Sequence, residues 1–228
     1  MTTLLSDITF RLTPISDSPV LEASVLLAYI TNKPRSWILA HPELSLTTEQ
    51  NYQLSESLSR LESGEPFPYI LGRWDFFGLE FEITPDTLIP RPETELLVEK
   101  AITWLKNNPT QRTIADVGTG SGAIAIALAT NIPDANILAT DISPKALQVA
   151  IQNAEKHKVL GKINFMECDL LPERTSIDLL CANLPYIPTD TLHELSVFGR
   201  EPTLALDGGS DGFALIRKLI KIAAKHLA

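Results

Sequence analysis

Apolar positions follow three different spacings along the chain, and each spacing predicts a different kind of structure. Over residues 1–74 apolar side chains recur at helical intervals, as at Leu54 and Leu58, which is typical of helices that pack one face together. Prolines and alternating apolar and acidic residues mark residues 75–92, which favours two short strands joined by a turn. Over residues 93–228 short apolar runs alternate with helical patterns. We therefore predict a helical domain, a connecting hairpin and a larger mixed domain.

The apolar runs of the mixed domain have the length of buried strands, and amphipathic stretches separate them. The predicted strands are Thr113–Val117, Asn136–Thr140, Lys162–Glu167 and Ile177–Asn183. The predicted helices run from about Glu93 to Lys106, Ala123 to Thr130, Pro144 to Lys156 and Phe213 to Ala228. Such alternation produces a parallel sheet with helices on both faces, so the predicted fold class is α/β.

Composition restricts the possible functions of the chain more than it restricts the possible folds. The 228 residues include 19 Lys and Arg and 28 Asp and Glu, giving a formal net charge of −9. An acidic chain without a dense basic cluster repels a phosphate backbone, so direct nucleic-acid binding is not expected. The sequence shows neither a secretory signal nor a metal-ligand pattern, and no apolar run approaches the ~18 residues of a membrane span. We expect a cytoplasmic protein that has no metal and does not contact a membrane.

The first predicted strand runs into a glycine-rich loop that opens directly into a helix. The loop consists of Gly118, Thr119, Gly120, Ser121 and Gly122. Glycines there let the backbone turn tightly and pass close to a ligand. The spacing is G-x-G-x-G, whereas dinucleotide folds use G-x-G-x-x-G and place a pyrophosphate at the helix N-terminus. S-adenosylmethionine has no phosphate, and its amino-acid end can lie against such a loop.

Acidic residues follow the next two predicted strands, at the same edge of the sheet. Asp141 ends the second strand, where a carboxylate can accept hydrogen bonds from both ribose hydroxyls of the cofactor. Asp169 and Leu170 follow the third strand, where the adenine edge would lie. These residues stand in register at successive strand ends, and together with the glycine loop they predict an S-adenosylmethionine site.

The fourth predicted strand leads into Asn183, Leu184, Pro185 and Tyr186, whose types suit methyl transfer to a planar nitrogen. An amide or adenine amino nitrogen is a poor nucleophile because its lone pair is delocalised. The side-chain oxygen of Asn183 and the carbonyl of Leu184 can accept its two N–H bonds, and Pro185 keeps Leu184 extended. Tyr186 offers a flat face to a planar group. Positioning then supplies much of the rate, and we expect Asn183 to contact the cofactor as well.

These motifs resemble the class I methyltransferases that carry an Asn-Pro-Pro-Tyr motif and, more narrowly, the release-factor glutamine methyltransferase family. The segments that carry the narrower resemblance are Pro68–Gly72, Phe76–Phe81, Leu88–Glu95 and Glu201–Gly209. The resemblance implies a class I, Rossmann-like methyltransferase domain and S-adenosylmethionine as cofactor. It implies that the substrate is the glutamine of the Gly-Gly-Gln motif in peptide chain release factors. It also implies that the helical domain over residues 1–74 helps to recognise the release factor.

One departure from the family pattern keeps two other functions open. Leu184 stands where the family has its first proline, and Asn-Leu-Pro-Tyr also occurs among RNA adenine dimethylases. The first alternative is therefore an adenine amino methyltransferase that acts on RNA or DNA. The second is a release-factor binder that retains the cofactor loop without catalysis.

A second departure concerns the sheet. The family fold continues past the last helix with further strands, whereas four strands are counted here, so we expect a chain truncated at its C-terminus. The strand at Ile177–Asn183 would then lie at an edge of the sheet. Because an apolar edge strand invites pairing with another chain, we expect self-association and weak activity.

Overall fold

The computed structural model describes residues 3–173 and 175–227 and separates into two compact units, Met1–Leu71 and Gly72–Ala228. The sequence placed the first boundary near residue 74. Strand β1 begins at Arg73, so the whole hairpin belongs to the second unit and not to a separate connecting segment. The proline-rich stretch after the hairpin is what made residues 75–92 look like a linker.

The first unit consists of helices. They are α1 (Leu4–Leu12), α2 (Pro19–Thr31), α3 (Arg35–Ala40), α4 (Thr48–Glu62) and α5 (Phe67–Leu71). Their apolar faces meet around Leu12, Leu26 and Leu58, which are all but inaccessible to solvent. The hydroxyl of Thr47 accepts from the backbone N–H of Gln50, and the Gln50 side chain accepts from the backbone of Thr47, so α4 begins with a capping box.

The second unit begins with a hairpin and continues as alternating helices and strands. The hairpin strands are β1 (Arg73–Phe76) and β2 (Leu79–Glu82). The later strands are β3 (Thr113–Val117), β4 (Asn136–Asp141), β5 (Ile163–Glu167) and β6 (Leu179–Ala182). The helices are α6 (Pro92–Asn107), α7 (Ala123–Asn131), α8 (Pro144–Lys156), α9 (Thr189–Glu194) and α10 (Ala214–Ala223). Short 3₁₀ turns lie at Leu160–Lys162 and Thr203–Ala205.

The four later strands form one parallel sheet in the order β5-β4-β3-β6. Strand β3 is central, and its residues from Ile114 to Val117 are buried. The chain winds outward from β3 through β4 to β5 and then crosses to the other side of β3 to form β6. The predicted α/β class with a parallel sheet is confirmed. The loops after β3, β4 and β6 meet where the strand order reverses, the usual ligand position in such sheets.

The region around β6 differs from the sequence prediction. Strand β6 is shorter than the predicted Ile177–Asn183, and helix α10 ends at Ala223 instead of continuing to the last residue. After the helix the backbone turns, and the N–H of Ile177 donates to the carbonyl of His226 at 2.9 Å, next to a parallel bridge between Ile177 and Leu227. This tertiary pairing ends the helix where its sequence alone would extend it. The expected self-association through β6 stays a prediction.

No helix among the described residues is both long and apolar enough to span a membrane.

Candidate active site

A cleft of about 290 Å³ opens at the carboxyl ends of the parallel strands in the second unit. Most of the predicted site residues line it: Gly118, Thr119, Gly120, Ser121, Asp141, Asp169, Leu170, Asn183, Leu184 and Pro185. Gly122 and Tyr186, which were also predicted, lie outside the lining. The fold therefore brings together the glycine loop, both acidic residues and most of the predicted catalytic turn, whose chemical roles stay predictions.

The glycine loop is shaped by backbone angles that other residues adopt only with strain. Gly118, Gly120 and Gly122 have φ values of 72°, 57° and 82°. The N–H groups of Gly118 and Thr119 both donate to the carbonyl of Thr140, at 2.8 and 2.9 Å, which ties the loop to the end of β4. A Cβ added to Gly120 would meet no atom within 4 Å. The loop therefore borders open space in the cleft, which leaves room for a ligand against its backbone.

Gly122 lies where helices α7 and α8 pack together, and its predicted contact with the cofactor stays a prediction. A Cβ at this position would lie 2.9 Å from Cδ1 of Ile126 and 3.2 Å from Cβ of Ala150. Helices α7 and α8 approach each other closely at this point because the third glycine of the loop has no side chain.

Asp141 holds the glycine loop with the same carboxylate that the sequence assigned to the ribose. One oxygen accepts from the N–H of Gly120 at 2.8 Å, and the other accepts from the N–H of Ser143 at 2.9 Å. A carboxylate offers about four acceptor positions. Both oxygens therefore retain capacity for further donors, and the two backbone bonds fix their orientation.

Asp169 and Leu170 close the cleft beyond Asp141. The Asp169 carboxylate accepts from Nζ of Lys218 on α10 at 2.5 Å, and about half of each side chain is exposed. Leu170 has a φ of 70°, and its carbonyl accepts from the hydroxyl of Thr140 at 2.6 Å. The strained turn at Leu170 is thus held from β4.

The turn after β6 places Asn183, Leu184 and Pro185 beside the glycine loop. Nδ2 of Asn183 donates to the hydroxyl oxygen of Thr94 on α6 at 3.2 Å. Leu184 is buried, and a Cβ on Gly118 would lie 3.2 Å from its Cδ2, so this side chain packs directly on the loop. A leucine at this position fills space against the glycine loop and leaves its backbone carbonyl in place.

Tyr186 lies at the edge of the predicted catalytic turn, and its predicted contact with a planar group stays a prediction. Its side chain is 63% exposed and is absent from the cleft lining. Its backbone is tightly enclosed instead, because a Cβ on Gly208 would lie 2.8 Å from its Cα. The next residue, Ile187, accepts from the N–H of Gly208 at 2.8 Å and donates to the carbonyl of Leu206 at 3.1 Å. The backbone of Tyr186 is thus fixed, while its ring is exposed and lies outside the cleft lining.

Glu201 is a buried carboxylate that sequence reasoning did not single out. It accepts from the N–H of Ile89 at 3.1 Å and forms an ion pair with Arg91. These contacts join the segment before α6 to Pro202 and Leu204, which line the cleft. Ile89 and Glu201 both belong to segments that carry the family resemblance. Nothing else in the sequence indicated their contact, because the two residues are 112 positions apart.

Asp116, near the end of β3, is a second buried carboxylate that was not among the predicted site residues. One oxygen accepts from the hydroxyl of Thr119 at 2.6 Å and from the N–H of Ala125 at 3.1 Å. The other oxygen has no hydrogen-bond partner among the described residues. Burial raises the pKa of Asp116 to about 6, with a smaller contribution from the neighbouring charge of Asp141. Through its bonds to Thr119 and Ala125, Asp116 fixes the glycine loop and the first turn of α7.

Two protein-family models match parts of the chain. The PrmC N-terminal domain matches residues 3–72, and the methyltransferase small domain matches residues 92–196. The first match ends one residue after the first structural unit, which ends at Leu71. The second contains β3 to β6 together with the glycine loop and the turn at Asn183.

Curated relatives extend the likeness over most of the chain. The release factor glutamine methyltransferase of Coxiella burnetii is 42% identical over 227 residues, which cover 97% of this chain and 79% of that protein. The protein of the same name from Moorella thermoacetica is 43% identical, with 91% of this chain and 74% of that protein covered. The one from Escherichia coli is 38% identical, with 90% and 74% covered.

Among solved structures, the catalytic domain of hMettl16 in complex with MAT2A 3′UTR hairpin 6 superposes with a TM-score of 0.50 at 18% identity. The alignment covers 80% of this chain and 65% of that one. At this identity the likeness concerns the fold alone.

Proposed function

The chain belongs to the family of release factor glutamine methyltransferases, and from this premise we propose how it uses its cleft. It transfers the methyl group of S-adenosylmethionine to the side-chain amide nitrogen of the glutamine in the Gly-Gly-Gln motif of a peptide chain release factor. One observation carries the proposal. The cofactor loop, the carboxylate of Asp141 and the Asn183 turn line one cleft at the point where the strand order reverses.

The cleft residues fit S-adenosylmethionine. The positive-φ loop from Gly118 to Gly122 lets the methionine end approach the backbone, and the open space beside Gly120 leaves room for it. Asp141 would accept from the ribose hydroxyls, and Asp169 with Leu170 would border the adenine. The cofactor supplies a methyl group on a positively charged sulfur, so the leaving group drives the transfer.

The protein's contribution is to hold the acceptor nitrogen. The side-chain oxygen of Asn183 and the backbone carbonyl of Leu184 accept hydrogen bonds from its two N–H groups. This holds the nitrogen in the geometry for attack on the methyl carbon. The bound cofactor would supply the methyl carbon with its sulfonium sulfur as the leaving group, and the methylated nitrogen would give up its proton to water. No strong base is required, which agrees with a turn made of an amide, a leucine and a proline.

Apolar side chains of two further segments form an apolar wall of the same cleft, which favours exclusion of water. Residues 85–90 and 202–205 both contribute to the lining, with Leu88, Pro90, Pro202 and Leu204 among them. The bond from the N–H of Ile89 to Glu201 holds the two segments together. A dry wall strengthens the hydrogen bonds to the acceptor nitrogen, because they no longer compete with water.

The substrate and the setting follow from the family. We propose the release factor as the protein partner and the helical unit, Met1–Leu71, as a surface that recognises it. Release factors act in translation, so the cytoplasm is the proposed location. The net charge of −9 argues against RNA as the substrate.

A transfer assay with S-adenosylmethionine labelled in its methyl group tests the substrate class. Three acceptors are offered separately: a release factor, the same release factor with Glu in place of the motif glutamine, and a structured RNA. We expect label in the unmodified release factor alone. Label in the RNA but not the release factor would contradict the proposal, and so would equal labelling of both release factors. Transfer to no acceptor would favour a non-catalytic binder.

A further inference from the structure

We propose that Thr94 is a positioning residue that orients the side-chain amide of Asn183 for methyl transfer. The inference rests on the proposed function, because it concerns the acceptor oxygen that holds the glutamine nitrogen. Thr94 lines the same cleft as Asn183 but belongs to a different element, the first turn of α6. The two residues are 89 positions apart in the sequence and meet only through the fold.

In the structure this contact holds the amide with its nitrogen end toward Thr94. Nδ2 of Asn183 donates to Oγ1 of Thr94 at 3.2 Å. The oxygen and nitrogen of an amide lie on opposite sides of the same carbon, so a nitrogen directed at Thr94 leaves Oδ1 directed elsewhere. Only that orientation offers an acceptor to the N–H bonds of a glutamine. A reversed amide would set its own N–H₂ against the substrate's N–H₂, donor against donor.

Oγ1 of Thr94 satisfies the amide nitrogen in the productive orientation. Asn183 is half-buried, so an N–H group left without a partner there is costly. A threonine hydroxyl accepts this bond without a charge, so it leaves Asn183 a neutral acceptor. Without the hydroxyl, the amide loses the hydrogen bond that restrains it in the orientation seen in the structure.

The scaffold around Thr94 is fixed, as a positioning role requires. Its N–H donates to the carbonyl of Arg91 at 3.0 Å, and Arg91 is held by the buried carboxylate of Glu201. The start of α6 is thus anchored to the segment that forms the apolar wall of the cleft. The hydroxyl therefore meets Asn183 from a constrained backbone and not from a free loop.

The test compares Thr94→Val, which keeps the shape and removes the hydroxyl, with Thr94→Ser, which keeps the hydroxyl. Turnover on the release factor is measured together with calorimetric affinity for S-adenosylmethionine and thermal unfolding. We expect kcat to fall about tenfold in the valine variant, as for one lost hydrogen bond at the reacting centre. Cofactor affinity should stay close to the parent's value, and the unfolding midpoint should fall only by the small amount expected for one lost hydrogen bond. The serine variant should retain most of the parent's kcat.

Two results would overturn the inference while the proposed function stands. One is a valine variant whose kcat lies within about twofold of an active parent. The other is an equal loss in the serine variant, which would assign the effect to the missing methyl group. A parent chain that methylates no release factor would instead remove the proposed function, and the inference with it.

Discussion

At the scale of single residues, the buried carboxylate of Asp116 makes stability depend on pH. Burial raises its pKa from 3.8 to about 6 in the folded protein. Unfolding restores the ordinary value, so the folded state binds this proton more tightly than the unfolded state between roughly pH 4 and 6. The contribution to stability is therefore full below pH 3.8 and is lost as the pH rises through about 6.

The variant Asp116→Asn isolates this effect, because an amide does not titrate in that range. The free energy of unfolding of the variant minus that of the parent should rise by up to about 3 kcal/mol between pH 4 and 7, from 1.36 kcal/mol per pKa unit. Urea unfolding at a series of pH values measures the difference. A difference that stays constant across this range would show that Asp116 titrates with its ordinary pKa.

Asp141 offers a second prediction at this scale. Replacement by alanine removes a charged acceptor for the ribose hydroxyls, which should weaken S-adenosylmethionine binding by about 1.5–3 kcal/mol. Asp134→Ala is the matched control, since that side chain is 64% exposed and pairs with Arg112 outside the cleft lining. Calorimetric titration should detect the loss in the first variant alone. Equal affinities in the two variants would remove Asp141 from the cofactor site.

At the scale of elements, close approach of α7 and α8 depends on the missing side chain of Gly122. The change Gly122→Ala adds a Cβ at 2.9 Å from Ile126 and at a φ of 82°, so both packing and backbone are strained. We expect a loss of about 2–4 kcal/mol in unfolding free energy. Gly161→Ala is the control, because its Cβ would meet no atom within 4 Å. Chemical unfolding that shows equal stability for both variants would contradict the packing role.

The elements that local sequence specifies were predicted well. Strand β3 was predicted with both bounds because an apolar run leads straight into the glycine loop. Helix α8 also has both predicted bounds, since Ser143 caps it and Pro144 occupies its first turn. Helices α1 and α5 were not predicted individually within the helical region. The predicted end of helix α10 was wrong because the helix stops before the segment whose Leu227 pairs with Ile177, and this pairing is a tertiary contact.

The site residues also fall into two groups, those that local sequence specifies and those that depend on tertiary contacts. Side chains that follow strand ends, such as Asp141 and Asn183, could be placed in the cleft because parallel strands end at one edge. Contacts between distant segments could not be foreseen. Glu201 with Ile89 and Thr94 with Asn183 leave no periodic signal in the sequence. The enclosure of the Tyr186 backbone by Gly208 is a tertiary contact of the same kind.

At the scale of the whole molecule, the two structural units correspond to the two matching family models. The helical unit ends at Leu71, and the N-terminal family match ends at residue 72. All the cleft residues belong to the second unit. In the proposed function, cofactor binding and transfer belong to the second unit, and recognition of the release factor is proposed for the first.

The most direct test of the central claim is the position of the transferred methyl group. Tandem mass spectrometry of a release factor incubated with the protein and S-adenosylmethionine should locate one methyl group on the side-chain amide of the Gly-Gly-Gln glutamine. The variant Asn183→Ala should keep nearly all of the parent's cofactor affinity and leave that glutamine unmodified. A methyl group on another residue would contradict the claim, as would an Asn183→Ala variant whose single-turnover rate stays within a few-fold of the parent's.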